Sequence, residues 1–71
     1  MAERAVQVPL EAQIACVRRE IRQRRTVYGR LVRDGRMQEV TAVHELRAME
    51  AVLQTLTALL ESKQGELFGG D

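Results

Sequence analysis

Apolar residues recur along most of this chain at alternating spacings of four and three. Leu10, Ile14, Val17, Ile21, Tyr28 and Leu31 form one such series, broken by Arg24 where another apolar residue is due. Ala42, Leu46, Met49, Leu53, Leu56 and Leu60 form a second, and Val43, Val52 and Leu59 widen it on one side. A stripe that wide covers more than one partner helix. The pattern predicts an all-α fold: helices at about 9–34 and 38–63, each about 36 Å long at 1.5 Å per residue. Pro9 suits a first helical position, and Gly35 suits the left-handed residue just past a helix end. Two helices joined by so short a turn lie antiparallel. The domain is thus a hairpin over residues 9–63, between a flexible segment 1–8 and a flexible tail 64–71. Gly29 falls inside the first helix; close approach of a neighbouring helix beside Tyr28 is the preferred reason, and a kink the alternative.

A lone hairpin leaves part of the wide stripe in water. Pairing with a second copy as a four-helix bundle covers it, with a single long-helix assembly as the alternative. The residues expected to form the core and dimer contacts are Ile14, Val17, Ile21, Tyr28, Leu31, Leu46, Met49, Leu53, Leu56 and Leu60. Length supports this. With 71 residues, a domain has too little core to be comfortably stable alone, and oligomerisation is a common remedy. The chain is 45% hydrophobic but only 3% aromatic, which suits helix packing better than a ligand pocket.

Charge adds a polarity that the net value of +1 hides. Residues 18–36 hold eight arginines against Glu20 and Asp34, a local net charge of +6. The remainder carries −5, so one half can attract the other or an anionic partner. Arg18, Arg22, Arg25, Arg33 and Arg36 fall within a sector of about 100° when helical periodicity is applied. Such a stripe can track phosphates. The simpler reading pairs these arginines with Glu39, Glu45, Glu50 and Glu61 across the hairpin or dimer, their stems covering apolar surface.

The stretch RREIRQRRTVYGRLVRDGRM, followed by HELRAMEAVL, resembles a family of small proteins of phages and bacterial prophages. The matching positions are Arg25, Val27, Tyr28, Val32, Gly35, Arg36 and Met37, then Met49, Glu50 and Ala51. The likeness covers about residues 16–53. Gly29 stands where the family often has Pro, and Gln38 where it usually has Thr. The resemblance implies a phage or prophage setting and no particular activity.

Nothing in the pattern suggests an enzyme, a metal site or a cofactor. His44 and Glu45 are adjacent on a helix and so point apart, which rules them out as a base and its orienting partner. Cys16 is the sole cysteine, lies off the apolar series and has no identifiable base, so an inert thiol is expected. The opening MAERAVQVP carries Glu3 and Arg4 and no apolar run, so no secretory leader is predicted. No segment approaches the roughly 20 apolar residues of a membrane span. A soluble cytoplasmic protein without a small-molecule substrate is the expectation.

The end of the chain reads QGELF before GGD. Leu67 and Phe68 read as lying outside the periodic series, and Gly65, Gly69 and Gly70 argue against a final helix. Gln64, Leu67 and Phe68 give the form Q-x-x-L-F, which resembles the peptide that docks bacterial replication and repair proteins on the DNA polymerase sliding clamp. Leu and Phe would fill an apolar pocket, each contributing roughly 1.5–3 kcal/mol on full burial. Gly65 replaces the apolar residue often found second in such peptides. Folding back of Leu67 and Phe68 over the open end of the bundle is the competing reading. The function expected is therefore a non-enzymatic interaction module binding a bacterial protein, with the sliding clamp as candidate. The alternative is a nucleic-acid-binding accessory protein using the arginine face.

Overall fold

Proline has no N–H to offer a helix, and its ring fixes φ, so it readily marks where a helix begins. In the computed structural model, which describes residues 7–68 and side chains through Gly65, α1 spans Leu10–Arg33 and α2 spans Glu39–Phe68. Pro9 stands one position before α1, with φ −58° and ψ 150°. Its carbonyl accepts the N–H groups of Ala12 at 3.0 Å and Gln13 at 3.1 Å. Proline has no side chain that can cap. Instead, Gln13 reaches back and donates from Nε2 to the Val8 carbonyl at 2.8 Å, tying the entering segment to the first turn.

α1 ends where glycine allows it to. Gly35 has φ +73°, in the left-handed region. That conformation aims the Arg36 N–H at the Leu31 carbonyl, 2.8 Å, and the Gly35 N–H at the Val32 carbonyl, 3.1 Å. Carbonyls that a helix end leaves open are thereby satisfied. Arg36 consequently lies in the turn and not on the helix, so the arginine stripe of α1 loses its predicted fifth member. α2 opens with Glu39 in its first turn, where a negative charge opposes the helix dipole favourably.

α2 passes its predicted end at Ser62 or Lys63 and continues through Gly65 to Phe68. Extending an existing helix needs no new nucleus, and one interior glycine costs only about 1 kcal/mol against alanine. Gly65 alone does not stop it. Gln64–Phe68, expected to have left the helix, are therefore its last turns. Leu67 also stands seven positions after Leu60, in step with Leu46 and Leu53, a continuation of the series that the intervening glycine obscures. The predicted flexibility of 1–6 and 69–71, and the folding back of the Leu67 and Phe68 side chains, lie outside what is described.

The helices pack side by side as an antiparallel hairpin. Leu10 lies level with Leu59 and Lys63 at the open end, Ile21 with Leu53 at mid-length, and Val32 with Ala42 beside the turn. Among the described residues only Ile14, Ile21 and Ala42 are buried, and no side chain is fully sealed. Val17, Tyr28, Leu31, Leu46, Met49, Leu53, Leu56 and Leu60 are half-buried, as members of a single contact line must be.

Two expectations change. A Cβ at Gly29 would meet nothing within 4 Å inside the hairpin, and α1 runs through that position unbroken. The close approach proposed for it does not occur within the chain. The widened stripe also differs, because Val43 faces one side of the hairpin while Val52 and Leu59 face the other. At 100° per residue, positions nine apart fall on opposite sides of a helix.

The two glycines should respond oppositely to the same change. Gly29→Ala should raise stability by about 0.5–1 kcal/mol, since the site is helical and open. Gly35→Ala should lower it by about 1–2 kcal/mol, the price of a left-handed conformation for a residue with a Cβ. Urea unfolding of both variants measures the difference.

Candidate interaction surfaces

The antiparallel pairing divides the surface of the hairpin into two flanks of different chemistry. On one, α1 presents Arg18, Arg22, Arg25 and Arg33, all exposed. Arg18, Arg22 and Arg25 stand over a shallow groove with Glu50 and Leu53 on the far side. Arg25 donates to Glu50 Oε2 at 2.6 Å, the ion pair between the helices among the described residues. Of the four glutamates expected to neutralise the stripe, Glu50 alone is shown doing so. Toward the turn the groove continues past Gly29, whose missing side chain leaves space between Tyr28, Val32, Val43 and Leu46.

The other flank is apolar. Here α1 contributes Val27, 42% exposed, beside half-buried Val17 and Leu31. α2 contributes Val52 and Leu59, both 46% exposed, beside half-buried Met49 and Leu56. Val8 joins them at the open end, where Gln7–Leu10 lie near Leu59 and Lys63. Among the described residues, four of the six large apolar ones that stand exposed are on this flank, so it is the one that water disfavours most. Val27 was named in the sequence only for the family resemblance and not as an apolar contact, because it falls between two members of the α1 series.

Arg24, which interrupts the α1 series, lies half-buried at the edge of the apolar flank. Its guanidinium donates to Glu20, one helical turn earlier. That hydrogen bond, with the nearby Glu20 charge and the Tyr28 hydroxyl, holds the Arg24 pKa above its ordinary value despite partial desolvation. The stem of Arg24 meanwhile lies beside Tyr28.

The candidate docking residues Gln64, Leu67 and Phe68 sit at the far end of α2. With 30 residues against 24, and Lys63 already near Leu10, α2 outruns α1 at this end. Gln64 is exposed. An extended docking pose would require the last turns of α2 to unwind, and Gly65 lowers the work of doing so. Cys16 and His44 are both exposed, and among the described residues no group of His, Cys, Asp or Glu is placed to hold a metal. No described helix is long and apolar enough to cross a membrane.

No family model, curated protein or solved structure matches the chain.

Arg25 and Glu50 are 58% and 42% exposed, which sets the strength of their pair. A double-mutant cycle with Arg25→Ala and Glu50→Ala should give a coupling of about 0.2–1 kcal/mol that shrinks with added salt.

Proposed function

We propose that this chain is a non-enzymatic protein-interaction module that works as a homodimer and captures a bacterial protein through the end of α2. The observation that carries the first half is the shallowness of the core. Among the described residues, three that are buried serve two long helices. A line of contact this thin leaves the apolar flank uncovered, with Val27, Val52 and Leu59 each 42–46% exposed. A second copy on the apolar flank, making a four-helix bundle, supplies the missing cover.

The capture site is the Gln64, Leu67 and Phe68 set, with the sliding clamp as the candidate partner. Its support is the sequence form together with its place on the part of α2 that outruns α1, weakened by Gly65. A phage or prophage setting rests on the resemblance over about residues 16–53 alone, carried by positions within Arg25–Met37 and by Met49, Glu50 and Ala51.

Light scattering should give a mass of twice 8.1 kDa, and Val52→Glu with Leu59→Glu should reduce it to the monomer value. Leu67→Ala with Phe68→Ala should abolish retention on purified sliding clamp and leave the dimer intact. Gly65→Ala should weaken that retention about fivefold, because it stabilises the helical turns that must open by about 1 kcal/mol. Full retention by the double alanine variant would end the docking reading.

A second reading is favoured by one observation. Arg18, Arg22 and Arg33 are exposed on the flank opposite the apolar one, so dimerisation leaves them accessible to phosphates. Replacing all three with Gln should remove binding to duplex DNA and flatten its salt dependence, each lost phosphate contact reducing the slope by about one. A protein already unable to bind DNA at low salt would discard this reading.

A further inference from the structure

The apolar flank can meet its own copy in two symmetric ways, because a two-fold axis bringing a face onto itself lies in the plane of contact. If the axis crosses the helices, α1 lies on α1 and α2 on α2, with the turns at opposite ends. If it runs along them, α1 of each copy lies on α2 of the other, with both turns at one end. We infer that the second arrangement is the one formed, an inference that rests on the homodimer proposed above.

Charge decides between them. α1 carries seven arginines against Glu11 and Glu20, whereas α2 carries five glutamates against Arg47 and Lys63. Packed helices lie about 8–10 Å apart. That is close to the Debye length at physiological salt, about 8 Å, so helix-to-helix repulsion is only partly screened. Placing α1 on α1 sets the arginine-bearing lengths of two helices, residues 18–33, side by side; placing α1 on α2 sets that length level with Glu45 and Glu50 instead.

Local levels agree. An axis along the helices preserves height, so residues that are level within one hairpin are level across the dimer. Arg25 is level with Glu50, and Tyr28 with Leu46. Continuing that register brings Arg30 level with Glu45 of the second copy and Val27 level with its Ala48. In the crossed arrangement Glu45 would instead face Leu59, Arg30 would face Cys16, and Val52 at mid-length would meet its own mate. Charges then abut apolar or uncharged groups.

Disulfide trapping in a Cys16→Ser background separates the two. Chains bearing Val27→Cys, mixed with chains bearing Ala48→Cys and oxidised, should yield a covalent dimer at least about tenfold more abundant than either chain alone, equivalent to about 1.4 kcal/mol of preference. Val52→Cys alone should remain uncrosslinked. Rapid self-linking of Val52→Cys, or silence in both experiments from chains that light scattering shows to be dimers, would overturn the arrangement while leaving the homodimer standing. A monomeric mass for the full-length Cys16→Ser chain itself would overturn the homodimer, and this inference with it. Thermal unfolding of each variant confirms that the helices are intact.

Discussion

Two rods touch along one line. Every other property of this molecule follows from that limit, since an amphipathic helix hides only the residues nearest its neighbour. Ile14, Ile21 and Ala42 lie on the line and are buried; residues one step to either side are half in water. Such a hairpin gains little from its own interior. Its caps and turn contribute correspondingly more, which gives weight to the Gln13 contact with Val8 and the left-handed Gly35.

The same geometry sorts chemistry by side. Residues flanking the contact line on α1 are arginines on one edge and Val27 with Leu31 on the other. On α2, Val43 and Glu50 adjoin the arginine edge, while Val52 and Leu59 adjoin the apolar one. One flank is suited to water and ions, the other to another protein surface. Arg24 stands at the edge of the apolar flank, where Glu20 satisfies part of its guanidinium and offsets its charge.

Helix periodicity made the hairpin legible from residues alone. Both series, the glycine turn and the near position of each boundary at the turn were readable, because the contact line imposes its spacing directly on the sequence. The sidedness of the flanks was less so. Val43, Val52 and Leu59 look alike in a list of valines and leucines, and only the direction of the neighbouring helix puts them on different sides. The end of α2 misled for another reason: glycine disfavours a helix by an amount too small to halt one already formed. Gly29 shows the converse, since a glycine can occupy a helix with no neighbour pressing on it. Why α1 has glycine there has no physical account within the hairpin.

The unequal length of the helices has a further consequence. α2 outruns α1 at the end away from the turn, and in a bundle whose turns share one end the two overhanging ends emerge together at the opposite pole. They would then act as a two-pronged grip. A ring or other assembly repeating one pocket could engage both prongs in succession, the second under the high effective concentration created by the first. Two weak holds would sum to a durable one.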